Sequence, residues 1–266
     1  MIEKTIYSQR GKLYYWISRH PEKTAKTVAF LPGLTANHHL FDLQTEYFSA
    51  DYTVLVWDPP AHGKSRPYRD FSYTHSAEEL KRILATENLD RVVLAGQSAG
   101  GFVAQLFASK YPFAVDGLFL IGSCPFGPEY YSKSDLSWLK RTKWVTGMFS
   151  DRKLRDTMAR MCGATEEGRE NMRQMLEDYD KKELCSLMDL GFAGFILEMG
   201  DVEIKCPVWL VTGEKDKTGK VKKYNRLWHE KEGYPLHIIS RAAHNANYDN
   251  AEEVNRLLEQ FVKKLG

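Results

Sequence analysis

The pattern of apolar and polar positions alternates between short apolar runs and longer amphipathic stretches. Runs at 2–7, 13–17, 27–31, 52–57, 91–95, 115–121, 207–212 and 235–239 are rich in β-branched and aromatic side chains. Glycine, proline or charged clusters bound them, which predicts strands. The first two are separated by Gln9-Arg10-Gly11-Lys12, the mark of an antiparallel hairpin. Helical periods lie between the later runs. Ser76-Ala77-Glu78-Glu79 has capping-box spacing, and Ala77, Leu80, Ile83 and Leu84 then share one helix face. A largely apolar helix is predicted from Ala99 and a polar one over 220–231. The last starts near Asn250, with Glu252 and Glu253 at its positive end and Lys263 and Lys264 at its negative end. Strands that alternate with helices predict an α/β protein whose sheet is mostly parallel and covered on both faces.

The alternation stops between 125 and 205. No strand pattern occurs there, only helical periods punctuated by Gly147, Gly163 and Gly191, over a length that holds about four average helices. The expected organisation is therefore an α/β core in two parts, 1–124 and 206–266, with a helical cap inserted at 125–205. Met148, Met158, Met161, Met172, Met175, Met188 and Met199 all fall in the insertion. That concentration predicts an adaptable apolar wall over a pocket, because methionine repacks easily.

Composition narrows the picture. With 266 residues, 43% of them hydrophobic, the chain can bury a large core. Its 37 basic and 35 acidic residues leave a net charge of +2, too little to gather nucleic acid or an anionic membrane. Lys220, Lys222 and Lys223 are expected on a solvated helix face. No apolar run approaches the about 18 residues of a membrane span, and no leader pattern opens the chain, so a soluble cytoplasmic protein is expected. Cys124, Cys162, Cys185 and Cys206 are far apart, which predicts reduced, buried thiols rather than a metal or redox motif. The neighbouring His38 and His39 lack metal-pair spacing and are expected in a solvated loop. Gly63-Lys64-Ser65 does not end a phosphate loop: Asp58 stands where the first glycine is needed, and Pro59 and Pro60 lack N–H groups. Asp58 and His62 are expected to tie that loop by hydrogen bonds. No cofactor, metal or obligatory protein partner is implied; the expected partner is a small-molecule substrate.

Chemistry concentrates around Val92 to Phe107, which reads as strand, sharp turn and helix. The turn is Gly96-x-Ser98-x-Gly100, in which a serine is held in a strained conformation at the sheet edge and only small residues fit beside it. Pro32-Gly33-Leu34 follows an earlier strand, and the glycine allows the backbone to present an amide to a ligand. The amides of Leu34 and Ala99 are therefore the expected oxyanion donors. Gly213-Glu214-Lys215-Asp216 and Ala242-Ala243-His244 follow the two last strands. Asp216 is preferred over Glu214 as the acid, since their side chains leave the turn in different directions. His244 is preferred over His229 and His237, which fall within a helix and a strand, and over His20 and His75. Ser98 needs a base to become nucleophilic, a histidine suits that work near neutrality, and a carboxylate holds the imidazole in the useful tautomer.

On these motifs, together with the D-x-x-x-H-G-x-S turn at 58–65, the chain resembles the α/β-hydrolase superfamily, of the cap-bearing type, over essentially its full length. The resemblance implies a doubly wound, mostly parallel sheet of about eight strands with an inserted helical cap. It implies catalysis by Ser98, Asp216 and His244. Two positions depart from the usual pattern: Pro32 stands before Gly33 where histidine is common, and Arg241-Ala242-Ala243 precedes His244 without a glycine. The expected reaction is cleavage of a small, largely apolar ester, thioester or lactone through an acyl-enzyme on Ser98. The alternatives are a carbon–carbon hydrolase of ring-cleavage products, for which Lys140, Arg141, Arg155 or Arg160 could meet a carboxylate, and a slow-turnover ligand sensor.

Overall fold

The computed structural model describes residues 1–139 and 147–266. An eight-stranded sheet forms the centre, in the order β1-β2-β4-β3-β5-β6-β7-β8. Its strands are β1 (Ile2–Tyr7), β2 (Lys12–Ser18), β3 (Thr27–Leu31), β4 (Thr53–Trp57), β5 (Val92–Gln97), β6 (Val115–Ile121), β7 (Val208–Gly213) and β8 (Leu236–Ile239). β1 pairs antiparallel with β2, and β2 with β4; every later pairing is parallel. The short hairpin turn allows the antiparallel start, whereas the later strands need helical crossovers and so run parallel. β3, β4 and β5 are buried throughout, as their unbroken apolar runs require of strands covered on both faces.

The core lies in two layers. One side of the sheet packs Phe30, Val56 and Phe119 under α1 (Asp42–Phe48) and the chain's last helix. The other packs Leu31, Leu94 and Leu120 under α2 (Tyr73–Thr86) and α3 (Ala99–Lys110). Successive strand residues point to opposite faces, so a continuous apolar run fills both layers.

Between β6 and β7 the described residues carry helices and no strand: α4 (Lys133–Leu139), α5 (Asp151–Cys162), α6 (Glu166–Glu177) and α7 (Lys181–Glu198). Each of the last three starts at a side-chain cap. Ser150 accepts from Lys153 N–H, Thr165 from Gly168 N–H, and Asp180 forms a full capping box with Glu183. After β7 come α8 (Val221–Glu232), the short α9 (Ala246–Asp249) and α10 (Ala251–Lys264). No helix among the described residues is long and apolar enough to cross a membrane.

Two expectations change. α2 starts a turn earlier than Ser76 suggests. Ser72 caps it by accepting from His75 N–H at 3.0 Å, while Glu198 at the end of α7 accepts from Tyr73 and Thr74 N–H at 2.9 and 2.8 Å. The orphan donors of the first turn are thus satisfied partly by a carboxylate over 120 positions away, and Ser76 bonds back to the Ser72 carbonyl inside the helix. The histidines do not sit in a solvated loop either. His38 stacks on Trp16, with centroids 3.5 Å apart and planes 16° apart, and its Nδ1 lies 2.7 Å from Asp58; only His39 is exposed. Lys220 and Lys223 are exposed, as expected, and both also pair with Asp135 in the first turn of α4. The four thiols are free and partly buried, and burial pushes Cys124 and Cys162 up to about 12.

Candidate active site

The sharp turn after β5 is built by close backbone packing. Ser98 has φ 50° and ψ −118°, a conformation that L residues seldom adopt, and its N–H extends the sheet by donating to Ile121 O at 2.8 Å. A Cβ at Gly96 would stand 2.7 Å from the Gly101 backbone. One at Gly100 would overlap the Leu31 carbonyl and crowd Pro32 O, also at 2.7 Å. The glycines therefore do different work. Gly96 and Gly101 make the turn tight, and Gly100 lets α3 press its N-terminus against the loop after β3.

That contact brings the two expected oxyanion amides together. A Cβ at Gly33 would meet the Ser98 Cβ at 3.0 Å, so the Pro32-Gly33-Leu34 loop lies directly on the serine. Among the described residues, neither the Leu34 nor the Ala99 amide donates an intramolecular hydrogen bond. Such unpartnered amides beside a helix N-terminus suit a developing negative charge.

Asp216 and His244 meet at the other side of the turn, with His244 Nδ1 2.9 Å from Asp216 Oδ2 and both residues buried. Thr218 N–H donates to the second carboxylate oxygen at 2.7 Å. Burial would raise the Asp216 pKa, but the neighbouring imidazole and the hydrogen bonds from His244 and Thr218 outweigh it and hold the carboxyl below its usual value. Gly213 lets the turn close, since a Cβ there would overlap the Ala243 carbonyl and crowd that of Ala242; Lys215 N–H then donates to Ala242 O at 2.8 Å. Glu214 points elsewhere, accepting from Arg241 N–H at 2.9 Å. Arg241 takes φ 59°, so the turn before His244 has the left-handed geometry without the glycine. Behind the imidazole, a Cβ at Gly122 would stand 3.0 Å from His244 Nδ1. No hydrogen bond links Ser98 Oγ to His244 among the described residues.

Gln97 holds the halves together and was not singled out by the motifs. Its Nε2 donates to His244 O at 3.3 Å and Asn245 Oδ1 at 3.1 Å, while its Oε1 fills the space above Gly33. One side chain thus touches the loop after β3 and the loop carrying His244. The available signal was a lone amide at the end of the wholly apolar run of β5, next to the serine.

The 58–65 turn is structural, as expected. Asp58 accepts from His38 N–H at 2.9 Å and Lys64 N–H at 2.6 Å, and Ser65 Oγ donates to Asp58 O at 2.8 Å. His62 is buried, with Nδ1 2.8 Å from Pro60 O, and burial lowers its pKa to about 4. The unfolded chain therefore binds a proton that the folded one refuses, in the window from the ordinary value of 6.5 down to about 4. Stability is retained above that window and lost as pH falls through it. Between about pH 7.5 and about pH 5, wild type is expected to lose about 2 kcal/mol that a His62→Gln variant does not. Urea melts at the two pH values check this; a constant difference between the proteins contradicts it.

Residues 26–169, more than half of the chain, match the family model described as alpha/beta hydrolase fold. The chain belongs to the alpha/beta hydrolase family. It is 27% identical over 263 residues to human serine hydrolase BPHL, covering 93% of this chain and 84% of that protein. It is 27% identical over 253 residues to a 2-hydroxy-6-oxononadienedioate/2-hydroxy-6-oxononatrienedioate hydrolase of Burkholderia vietnamiensis, covering 88% and 84%. Among solved structures, the enol-lactonase from Burkholderia xenovorans superposes with a TM-score of 0.80 at 16% identity, over 98% of this chain and all of that one. At that identity the likeness concerns the fold.

In this alpha/beta hydrolase a cavity of about 440 Å³ opens between the helical segment and the core. Phe102 lines it one turn along α3 from Ser98, and Thr218 lines it beside Asp216. Tyr131, Phe192, Phe195 and Tyr224 complete an aromatic wall. Phe102 stacks on Phe195 at 4.6 Å, and Tyr131 packs against Tyr224 at 4.5 Å. The expected methionine wall is corrected here, as no methionine lines this cavity among the described residues. Met172 and Met175 are buried in the core instead. Their sulfurs accept from Asn245 Nδ2 at 3.8 Å and Asn37 N–H at 3.5 Å, so they pack under the loops that carry the site. Of the cations expected to meet a carboxylate, Arg155 is spent on Asp151 and on the Leu176 and Tyr179 carbonyls, and Arg160 donates to Asp156 O. Lys140 and Arg141 lie outside the described residues. No group of three or more His, Cys, Asp or Glu side chains among the described residues is arranged to hold a metal ion.

Proposed function

We propose that this chain is a serine hydrolase that cleaves small, largely apolar carboxylic esters through an acyl-enzyme on Ser98; thioesters and lactones are the related electrophiles. The observation that carries the reading is the buried Asp216–His244 pair, 2.9 Å apart, tied through Gln97 to the turn that holds Ser98 at φ 50° beside two unpartnered amides. In the first half-reaction His244 Nε2 takes the Ser98 proton as Oγ bonds to the carbonyl carbon. The carbonyl π pair moves to oxygen, where the Leu34 and Ala99 amides receive the charge. Collapse breaks the bond to the leaving group, which takes the proton from His244. Water then repeats the sequence on the acyl-enzyme and frees Ser98. Asp216 keeps the imidazole in the tautomer whose Nε2 is the base.

The helices at 125–205 act, in this reading, as a cap whose rings face the substrate. The cavity's charged side chains, Asp135 and Lys220, already neutralise each other. A second carboxylate on the substrate would have to break that pair. This supports neutral apolar esters over the dioate named for the Burkholderia vietnamiensis relative. In a panel of p-nitrophenyl butyrate, p-nitrophenyl hemisuccinate and a ring-cleavage dienoate, kcat/KM is expected to be at least about 10-fold higher for the butyrate than for either acid. Preference for the dienoate would overturn the ester reading.

A further inference from the structure

The carboxylate of Asp249, at the end of α9, accepts four hydrogen bonds that join two distant parts of the chain. Oδ2 accepts from the N–H of Ala243, the residue just before His244, at 2.8 Å, and from Ala164 N–H at 2.8 Å. Oδ1 accepts from both the N–H and the hydroxyl of Thr165 at 2.9 Å. Thr165 also caps α6, so the carboxylate sits at the corner between α5 and α6. Gly168 stands where a Cβ would overlap Asp249 Oδ1. On the far side of the imidazole, Asn245 N–H donates to Cys162 O, the last residue of α5, at 2.8 Å. The amides of the residues on both sides of His244 are therefore bonded to one corner of the helical segment, that of Asn245 directly and that of Ala243 through Asp249.

A half-buried carboxylate with four donors has all its strong lone-pair positions used, and charge-assisted bonds of this length are the stiffer kind. It has no capacity left for a substrate or a proton relay. We infer that Asp249 is a positioning residue that ties the placement of His244 to the docking of the α5–α6 corner against the core. The inference rests on the serine-hydrolase reading above. Asp216 restrains the imidazole ring from Nδ1, Gly122 leaves room behind it, and Asp249 and Cys162 restrain the backbone that carries it. Undocking of the corner would free the Ala243 and Asn245 amides and let the base drift from Ser98, where a displacement of about 1 Å costs on the order of 100-fold in rate.

Asp249→Ala removes all four bonds. Assayed with p-nitrophenyl butyrate well below its own Tm, it is expected to lower kcat about 100-fold with KM within about 3-fold of wild type. The rate of fluorophosphonate labelling at Ser98 should fall in parallel. Thr165→Val, which removes the hydroxyl bond to Asp249 together with the cap of α6, should lower kcat in the same direction by about 5-fold, and it decides the matter if Asp249→Ala does not fold. Ser150→Ala removes the cap of α5 without touching the His244 loop and should lower Tm while leaving kcat unchanged. Variants at Asp249 and Thr165 that lose Tm but keep kcat and labelling rate would overturn the inference. Turnover that survives Ser98→Ala would instead overturn the reading beneath it, whatever the Asp249 variants do.

Discussion

Ser98→Ala is expected to lower kcat for p-nitrophenyl butyrate by about 10⁶-fold while the protein remains folded. Removing the hydroxyl deletes the bond-forming atom, so neither the Asp216–His244 pair nor the amides can restore the acyl-enzyme route. A residual acceleration over water of about 10³-fold should persist, because the amides of Leu34 and Ala99 still polarise the carbonyl for direct attack by water. The substitution preserves the turn: Ser98 N–H still bonds to Ile121 O, and alanine must only tolerate the same φ of 50°. Circular dichroism and Tm separate loss of chemistry from loss of fold.

Asp216→Asn is expected to lower kcat by about 10⁴-fold with little change in KM. The carboxyl is held below its usual pKa despite burial, so the ionised form faces both His244 Nδ1 and Thr218 N–H. An asparagine has one acceptor. If its oxygen keeps Thr218, its NH2 faces His244, and Nδ1 must then become the acceptor. The proton moves to Nε2, the nitrogen that has to accept one from Ser98. The fault lies in tautomer and charge rather than in shape, since the two side chains are nearly isosteric. A matched fall in kcat and kcat/KM is the signature of an interaction made in the transition state. Activity within about 10-fold of wild type would remove Asp216 from the proposed machinery.

Most of the fold was legible because its signals are local. Eight apolar runs became eight strands, and the glycines of 96–101 and 213 proved to mark close backbone approaches rather than mere flexibility. The Asp216–His244 contact, between groups 28 positions apart, followed from their places after the last two parallel strands. What escaped was set by long-range partners. Ser76 looked like a cap, but Ser72 together with the distant Glu198 serves α2 better. The methionines looked like a pocket wall, yet Met172 and Met175 lie under the site loops while rings of α3, α7 and α8 line the cavity. Gln97 and Asp249 carried no motif, because their importance lies in the backbone groups they reach, and those become neighbours only on folding.

The central claim is that a carbonyl carbon becomes bonded to Ser98 Oγ. Rapid mixing of the protein with p-nitrophenyl butyrate, acid quench within the first turnover and peptide mass spectrometry read that bond directly. The account predicts one butyryl group on the peptide containing Ser98, formed together with a burst of p-nitrophenol and absent from Ser98→Ala. Turnover with no acylated peptide at any quench time, or acylation of a residue other than Ser98, would contradict it.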